Sequence, residues 1–453
     1  MTRTQLARLG LFDAKVPRYT SYPTALKFCM IDDLESGKAL FDMQDDEGPV
    51  SLYFHLPYCQ SLCWFCGCTK IISTNERLAD TYLDYLEKEI ALIRPSIGED
   101  RGAIQLHFGG GSPNFLNPDQ IEKLTGLIYR NFEFEMNAEL SVELDPRTLT
   151  REKVEAFRRL GINRASIGVQ DVNPEVQKAI HRIQPSATNL KTIAWLKQAG
   201  THQLNVDLVY GLPYQTEGSF ADTLDEVIGY DPDRFALFSY AHIPSKIPAQ
   251  KIVERSPLPT ADEKIAMLML AMRKFKEAGY VHIGMDHFTK PDDPLALAQK
   301  ARTLQRNFQG YSLFDNTQIC AFGMSAISQS ARTYRQNFKD IEQYYHAIDT
   351  GVYPVERGYM MNADDQIRRH VIMRLMCDME LDFASLGKTL NIDFTKYFAK
   401  ELCDLFPLEE DGLIELSQER LTVTDLGRLL IRNIAVVFDA YTGKGNSGYS
   451  KAI

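Results

Sequence analysis

Six short apolar segments, separated by amphipathic stretches, lie between Val50 and Tyr240 and constrain the fold more than any other feature. The segments are 51–56, 104–108, 139–144, 164–169, 203–209 and 234–240. Apolar, β-branched runs of about four to eight residues are typical of buried strands. The stretches between them, such as 77–93 and 150–160, have helical spacing. Repeated β/α units of this kind predict a parallel sheet that is covered on both faces or curved towards a barrel.

Some helix ends can also be predicted. Thr150 is an N-cap residue in front of one amphipathic stretch, and Gly161 follows its last apolar residue. A second helix is predicted over 260–279. Beyond Pro244 the β/α alternation fades, and from about Asn362 the pattern is mostly helical with a short β-like end.

These patterns divide the chain into three parts. We predict an N-terminal arm and lead-in over 1–49, and a catalytic domain over 50–355. A smaller, mainly helical C-terminal domain with a winged-helix-like end is predicted over 356–453. A chain of 453 residues exceeds the length at which one core usually stops growing, which agrees with more than one domain.

Composition limits the classes of function. Sixty acidic against fifty basic residues give a net charge of -10, which opposes binding to a nucleic-acid backbone. No apolar run approaches the roughly eighteen residues that span a bilayer. The N-terminus has no apolar secretion signal. We therefore expect a cytoplasmic protein that neither inserts into a membrane nor binds nucleic acid. A monomer is also expected, although no sequence feature specifies the oligomeric state.

Unusual residues follow directly after the predicted strands. A cysteine-rich loop follows the first strand and Gly109–Gly111 the second, Glu143 and Asp145 lie at the end of the third, and Gln170 follows the fourth. Active sites of α/β folds assemble where parallel strands end. The site is predicted at this rim, and the glycines are expected to leave backbone N–H groups free for an anionic ligand.

Four of the eight cysteines lie between Cys59 and Cys68. Thiolates so close together can bind one metal centre. Structural zinc sites usually pair two distant Cys or His knuckles, which this loop lacks. A redox pair of Cys66 and Cys68 would leave Cys59 without a role. The other four cysteines lie singly along the chain: Cys29, Cys320, Cys377 and Cys403. Each is predicted to be a small buried apolar residue.

The spacing Cys59-x3-Cys63-x2-Cys66, with an aromatic residue before the third cysteine, resembles the signature of radical S-adenosylmethionine (SAM) enzymes. This resemblance implies a 4Fe-4S cluster on the three thiolates, with an open iron that binds SAM and yields a 5'-deoxyadenosyl radical. Cys68 is not expected to be a ligand. Trp64 and the aromatic residue after it would pack beside the cluster or the adenine, or would be ordinary core residues.

Further motifs extend the resemblance over nearly the whole chain. They include PRYTSYPTA at 17–25, YFHLPYC, CWFCGC, LHFGGGSP, VELDPR, SIGVQD, NVDLVYGLP, FSYAHIP, GMDHF and RNFQGY. Together they resemble the family of bacterial oxygen-independent coproporphyrinogen III oxidases. Ser112 stands where close relatives carry Thr, and both supply a hydroxyl. The resemblance implies an incomplete (β/α)6 barrel of the radical SAM type with a helical C-terminal domain.

The implied reaction is oxidative decarboxylation of two propionate side chains of coproporphyrinogen III to vinyl groups, giving protoporphyrinogen IX in haem synthesis. The family also implies two SAM molecules at one site. Residues carried over for the first SAM are Tyr53, Gly110, Glu143 and Ile327. Those for the second are Phe65, Gly111, Ser112, Gln170, Arg182, Asp207 and Ala241. Arg18 and Tyr22 of the arm are candidates for handling the substrate, and the electron donor and acceptor stay unidentified.

Two other functions are compatible with the same fold. One is a radical SAM methyltransferase that acts on a tetrapyrrole. The other is a haem chaperone or iron-sulfur carrier without oxidase chemistry. The intact arm over 18–25 and the Cys-Gly-Cys ending of the loop favour the oxidase.

Overall fold

The structure is a computed structural model that describes residues 14–31, 40, 48–98, 101–315 and 317–442. The first part of the predicted arm, the segments 32–39 and 41–47 of the predicted lead-in, and the chain end at 443–453 lie outside the described residues. Among the described helices, none is long and apolar enough to cross a membrane.

The strands are numbered in chain order. They are β1 Cys29–Met30, β2 Val50–Leu56, β3 Tyr58–Cys59, β4 Ile71–Ile72, β5 Ala103–Gly110, β6 Phe134–Leu144, β7 Arg164–Gln170, β8 Gln203–Tyr210, β9 Arg234–Ser239, β10 Val281–Gly284, β11 His287–Thr289, β12 Gln305–Asn307, β13 Gly310–Ser312, β14 Gln318–Phe322, β15 Ile327–Gln329, β16 Thr333–Asn337, β17 Val355–Met360, β18 Glu380–Asp382, β19 Ile414–Leu416 and β20 Arg420–Val423.

The α-helices are numbered in the same way. They are α1 Leu78–Ile93, α2 Pro118–Asn131, α3 Arg151–Leu160, α4 Pro174–Ala179, α5 Ser186–Gln198, α6 Glu217–Gly229, α7 Gln250–Val253, α8 Ala261–Glu277, α9 Pro294–Lys300, α10 Ile341–Asp349, α11 Ala363–Asp378, α12 Phe383–Leu390, α13 Phe394–Tyr397, α14 Ala399–Asp404, α15 Phe406–Glu410, α16 Asp425–Leu429 and α17 Ile431–Ala435.

The chain forms two compact units. The first, which we call the arm unit, comprises Met1–Lys27, Pro259–Asp315 and Met361–Ile453. The second, the cysteine unit, comprises Phe28–Leu258 and Asn316–Met360. Contacts thus group 259–315 with the C-terminal segment, whereas the sequence placed it in the catalytic domain. The domain boundaries proposed from the sequence stay a prediction.

The cysteine unit is built on a parallel sheet. Strands β2, β5, β6, β7, β8 and β9 lie side by side in chain order, and each pairs in parallel with the next. These are the six strands that the apolar segments predicted, so the predicted fold class is confirmed. Phe54 and Phe108 lie on neighbouring strands with no exposed surface, and their rings pack 5.7 Å apart. The described strands form no closed barrel.

Helix ends also follow the sequence. The Thr150 side chain accepts a hydrogen bond from the Lys153 N–H at the start of α3, and Gly161 ends the helix with a φ of 100°. Thr260 and Glu263 form a reciprocal capping box at the start of α8. Both predicted helices are therefore confirmed, with the caps that their sequences specify.

The sequence did not predict the second part of this sheet. Strand β14 joins β2 in parallel on the side opposite β5, and β15, β16, β17 and β1 continue the sheet with antiparallel pairing. Strand β16 is buried throughout although it reads Thr333-Tyr-Arg-Gln-Asn337. Its polar side chains hide the apolar alternation by which buried strands are usually detected.

The arm unit is mainly helical. Its strands form small antiparallel pairs, β10 with β11 and β12 with β13, and a three-stranded sheet in the order β18-β20-β19. Tyr19 and Tyr22 of the N-terminal arm are buried in this unit, at 1% and 0% exposure. The arm is thus part of the core of its unit.

The four single cysteines differ from each other in burial. Cys320 and Cys377 have no exposed surface, which confirms the prediction for these two. The prediction is wrong for Cys29 and Cys403, which are exposed. Both residues of the short strand β1 face solvent, and helix α14 buries only Glu401.

Candidate active site

A short parallel pairing closes the cysteine loop at its base. Strands β3 and β4 pair Tyr58 with Ile71 and Cys59 with Ile72. The Ile71 N–H donates to the Pro57 carbonyl at 2.8 Å, and the Ser73 N–H donates to the Cys59 carbonyl at 3.0 Å. These bonds fix both ends of the loop, so the three cysteines of the motif are presented from one anchored segment.

The three thiols have different surroundings. Cys59 Sγ lies 3.5 Å from Ser112 Oγ, and burial raises the pKa of the Cys59 thiol to about 11. Cys63 is 8% exposed. A hydrogen bond from the Cys68 thiol lowers the pKa of Cys66 to about 6, and the same bond raises the pKa of Cys68. The two thiols of this pair therefore influence each other's ionisation.

An iron-sulfur cluster fits this loop. Cys59 interacts electrostatically with both Cys63 and Cys66, so the three sulfurs share one neighbourhood. Among the described residues, no three His, Cys, Asp or Glu side chains converge closely enough to hold a single metal ion. In a 4Fe-4S cluster each thiolate binds a different iron, so the sulfurs need not converge on one point.

Two arginines and an aspartate surround Cys63. Arg147 Nη2 donates to Cys63 Sγ at 3.3 Å, and Arg182 Nη1 lies 3.5 Å from the same sulfur. Asp145 Oδ2 accepts from Arg147 at 2.6 Å and from Arg182 at 3.2 Å. Burial raises the pKa of Asp145, but the charges of Arg182 and Arg147 outweigh burial and hold that pKa at about 2. The group is therefore ionised and carries a net positive charge.

The glycine turn packs tightly against the cysteine loop. Gly110 has a φ of 109°, and a Cβ there would lie 2.5 Å from the His55 ring. A Cβ on Gly111 would lie 2.5 Å from the Pro57 carbonyl oxygen. Only glycine fits either position.

The backbone donors of this turn are already used. The Gly111 N–H donates to the Leu56 carbonyl, the Ser112 N–H donates to the Tyr58 carbonyl, and the Gly110 N–H bonds to Glu143. The prediction that these groups are free for an anion is therefore wrong. The close approach of the turn to the cysteine loop satisfies these donors internally.

Two carboxylates lie on the rim. Glu143 Oε1 is 3.2 Å from His107 Nε2, and the Glu143 side chain is 47% exposed. The Tyr53 ring stacks on His107, with ring centroids 5.8 Å apart. Partial desolvation of the carboxyl group opposes ionisation of Glu143, but the hydrogen bond and charge of His107 outweigh this effect, and the pKa of Glu143 is lowered.

The second carboxylate behaves oppositely. Asp207 Oδ2 accepts from Ser166 Oγ at 2.9 Å, and Asp207 Oδ1 accepts from Asn205 Nδ2 at 2.6 Å. Burial and then the charge of Glu143 raise the pKa of Asp207 to about 6. The two carboxylates therefore differ in protonation below neutral pH.

Gln170 and Arg182 flank one glycine of β7. A Cβ on Gly168 would lie 2.6 Å from Gln170 Nε2 and 3.0 Å from Arg182 Nη2. Gln170 itself has a φ of 69°, and the β7–β8 register shifts at this point. Strand β7 is therefore irregular at Gln170, where the Arg182 side chain from the segment after α4 also approaches Gly168.

Phe65 and Ala241 are joined through a residue that the sequence did not single out. The fully buried Gln250 donates from Nε2 to the Phe65 carbonyl at 3.1 Å and to the Ala241 carbonyl at 3.0 Å. Trp64 and Phe65 pack on the apolar cluster that includes Val176. They are therefore at least partly core residues.

Ile327 begins β15, and its side chain is partly buried. The neighbouring Ser325 Oγ lies 3.4 Å from His55 Nε2, and His55 Nδ1 lies 3.2 Å from the Tyr53 hydroxyl. A chain of polar contacts thus runs from Tyr53 to the segment in front of β15.

The two arm candidates have partners within the arm unit. Arg18 forms an ion pair with Asp286. The Tyr22 hydroxyl accepts from the Ala440 N–H at 3.0 Å, and Tyr22 has no exposed surface. Tyr22 is therefore packed within the arm unit, and a role of Tyr22 towards substrate stays a prediction.

Sequence reasoning missed several residues that organise the site. Arg147 occurs in the motif VELDPR and His107 in the motif LHFGGGSP. Each is an ionisable residue at or next to the end of a predicted strand, and this position could have identified both as site residues. His55 alternates with Tyr53 on β2. No sequence pattern could have identified Gln250, because its role depends on two carbonyl groups that are distant from it in sequence or reached only in the folded chain.

Comparison with known families places this site in a class. Residues 53–227 match the family model of the Radical SAM superfamily, and residues 361–430 match that of the HemN C-terminal domain. The fold and the cysteine loop are therefore those of a radical SAM protein, a superfamily that uses a 4Fe-4S cluster and SAM.

Full-length relatives define the family more narrowly. An oxygen-independent coproporphyrinogen III oxidase from Synechocystis is 42% identical over 438 residues, covering 96% of this chain and 94% of the relative. One from Salmonella typhimurium is 43% identical over 96% of this chain and 95% of the relative. The solved coproporphyrinogen III oxidase (HemN) of Escherichia coli, a radical SAM enzyme, has a TM-score of 0.90 at 41% identity and covers 95% of this chain and 100% of that one. The chain belongs to the family of oxygen-independent coproporphyrinogen III oxidases, which confirms the resemblance seen in its motifs.

Proposed function

We propose that this chain converts two propionate side chains of coproporphyrinogen III to vinyl groups without oxygen, giving protoporphyrinogen IX in haem synthesis. The observation that carries this proposal is the 42% identity to an oxidase of this name over 96% of the chain. An identity of this extent includes both the cysteine loop and the C-terminal segment, so the similarity is not limited to the superfamily fold.

In this proposal Cys59, Cys63 and Cys66 hold the cluster, and Cys68 does not. When bound, the cluster supplies the electron that cleaves SAM and starts radical chemistry. The protein anchors the loop through β3 and β4 and places two guanidinium groups at the Cys63 sulfur. These two cations would offset the negative charge that a bound cluster brings to this position.

Two SAM molecules are proposed at the rim. Tyr53, Gly110, Glu143 and Ile327 would contact the first, and Phe65, Gly111, Ser112, Gln170, Arg182, Asp207 and Ala241 the second. The lowered pKa of Glu143 supports its role, because a carboxylate accepts hydrogen bonds from an ammonium or a ribose hydroxyl. With the N–H groups of Gly111 and Ser112 used internally, we propose that these two residues act through close fit and through the Ser112 hydroxyl.

The remaining partners follow from the reaction. An electron donor and a final electron acceptor of unidentified nature are required. We propose a cytoplasmic monomer that does not bind nucleic acid, in keeping with the net charge of -10. Arg18 pairs with Asp286, so any contact of Arg18 with substrate would be made by an already oriented guanidinium.

Anaerobic turnover with coproporphyrinogen III tests reaction and substrate together. We expect the reconstituted protein to yield a product lighter by two formic-acid equivalents, with formation of 5'-deoxyadenosine. A Cys63→Ser variant is the matched control and should give neither. Gain of a methyl group would instead indicate a tetrapyrrole methyltransferase, and unchanged but bound tetrapyrrole would indicate a carrier.

A further inference from the structure

Arg147 is held against the Cys63 sulfur by several contacts. Its Nη2 lies 3.3 Å from Cys63 Sγ and 2.6 Å from Asp145 Oδ2, and its Nε donates to Asp145 Oδ1 at 3.0 Å. The Arg147 side chain is 16% exposed. A fork of this kind fixes the plane of the guanidinium group, so its donor is aimed at the sulfur.

The turn that carries Arg147 is itself anchored. The Arg147 N–H donates to Asp145 Oδ1 at 3.0 Å. The Asn114 side chain bonds to both the N–H and the carbonyl of Asp145, each at 2.9 Å. Lys153 Nζ, which is buried, donates to the Asn114 carbonyl at 2.7 Å. The end of β6 is thus locked to the segment that follows the glycine turn, and Arg147 is positioned by the fold.

The charges around Cys63 do not balance. Two guanidinium groups, of Arg147 and Arg182, share the single carboxylate of Asp145. Arg182 Nε is buried and has no hydrogen-bond partner among the described residues. A buried donor and an excess positive charge beside a thiol indicate a place prepared for an anionic group.

We infer that Arg147 is a positioning residue that directs an N–H donor and a positive charge at the Cys63 sulfur and so raises the reduction potential of the cluster bound there. This inference rests on the proposed cluster at Cys59, Cys63 and Cys66. Reduction adds one electron, and therefore negative charge, to the cluster. A nearby positive charge and an N–H donor to a ligand sulfur stabilise the reduced form, which is how hydrogen bonds and net charge set cluster potentials.

A purely structural role for Arg147 makes a different prediction. If Arg147 served only to neutralise Asp145, its loss would leave Asp145 paired with Arg182, and the cluster would be unaffected. A role towards sulfur predicts a change in the potential even when the fold and the iron content are unchanged. The two roles are therefore separable by measuring the cluster itself.

The test compares Arg147→Met, Arg147→Lys and a control, Arg159→Met. Arg159 is an exposed residue of α3 paired with Glu122, so its loss removes a charge far less buried than Arg147. Each protein is reconstituted anaerobically without SAM. Iron content is measured, and the midpoint potential is followed by electron paramagnetic resonance during titration with a chemical reductant.

We expect a full iron content in all variants and a more negative midpoint potential for Arg147→Met. Arg147→Lys should shift less, because it retains the charge but loses the fork. The control should match the wild type. Wild-type midpoint potentials in both Arg147 variants would overturn the inference. Loss of iron from both variants, with an unchanged circular dichroism spectrum, would also overturn it, because that result would assign Arg147 to cluster assembly. Absence of iron from the wild type would overturn the proposed cluster itself, a failure that is separately recognisable.

Discussion

Each unit of the molecule contains a pair of arginines with little or no exposed surface, and the two pairs use their donors differently. In the arm unit, Arg306 and Arg432 donate to backbone carbonyls of the segment 16–19, at 3.2 Å from Arg306 Nε and 3.0 Å from Arg432 Nε. In the cysteine unit, Arg147 and Arg182 are directed at a thiol and share one carboxylate.

This difference distinguishes structural arginines from functional ones. Carbonyl oxygens of the chain are acceptors wherever the chain runs, so an arginine that binds them holds a segment in place. A thiol is only a weak hydrogen-bond acceptor. Two guanidinium groups beside one thiol repel each other unless negative charge nearby offsets both of them. Loss of Arg306 or Arg432 should therefore lower the free energy of unfolding. Loss of groups around Arg147 and Arg182 should instead change the chemistry at the cysteine loop.

The largest effect is expected at the cysteines. Cys59→Ser, Cys63→Ser and Cys66→Ser should each abolish cluster assembly and turnover, because a hydroxyl is a harder and less acidic ligand than a thiol. The melting temperature of the apoprotein should change little. Iron analysis and turnover check the first point and thermal unfolding the second. A variant that retains full iron and activity would remove its residue from the ligand set.

The arm should show the opposite behaviour. Tyr22 has no exposed surface and packs on Tyr441 at 6.0 Å, so Tyr22→Ala should lower stability by about 3–5 kcal/mol while the cysteine loop still assembles a cluster. Chemical denaturation of the apoprotein measures the first effect and iron content the second. The exposed Lys15 of the same arm, changed to Ala, is the control.

Deletion of residues 1–25 extends this test. It removes Tyr19 and Tyr22 and the carbonyls that bind Arg306 and Arg432. We expect a large loss of stability and of decarboxylation, with the cluster retained. A truncated protein that melts like the full chain and turns over at its rate would contradict both the packing role and a role in substrate handling.

A smaller effect is expected for Asp207→Asn, which should raise the stability of the protein at neutral pH and weaken its binding of SAM. Its folded-state pKa of about 6 lies above the ordinary aspartate value, so the folded protein binds this proton more tightly than the unfolded chain. The stabilisation is complete below about pH 4 and is lost as the pH rises through 6. Asp207→Asn should therefore be more stable than the wild type at pH 7.5, by about 1–2 kcal/mol, and should unfold like the wild type near pH 4.

The same variant should bind SAM more weakly, because a charged acceptor is lost. The side-chain amide introduced by Asp207→Asn can still accept from Asn205 and can donate to the Ser166 hydroxyl, so the local fold is preserved. Thermal unfolding at the two pH values and SAM binding by calorimetry are the measurements. The exposed Asp222→Asn is the control, and a destabilised Asp207→Asn at pH 7.5 would contradict the assignment.

The sequence predicted the parts of the fold that rest on local pattern. The six parallel strands and the caps at Thr150 and Gly161 follow from short-range residue preferences, and the cysteine spacing identified the superfamily. It did not predict β16, whose polar side chains are buried, or the roles of Gln250 and Arg147. Those depend on groups that are distant in sequence and meet only after folding, such as the Phe65 and Ala241 carbonyls.

The smallest effect is expected at Cys68, the fourth thiol of the loop. Cys68 is exposed, and its hydrogen bond with Cys66 lowers the pKa of Cys66 while raising its own. Lys70 Nζ bonds to the carbonyls of both residues, at 3.0 Å and 3.1 Å, so the backbone there does not depend on the Cys68 side chain. A serine keeps a hydrogen-bond donor beside Cys66. Cys68→Ser should therefore assemble the cluster with the iron content of the wild type under the same reconstitution, while Cys66→Ser in parallel should not. Loss of iron from Cys68→Ser would make Cys68 a ligand and would overturn the assignment of three ligands to Cys59, Cys63 and Cys66.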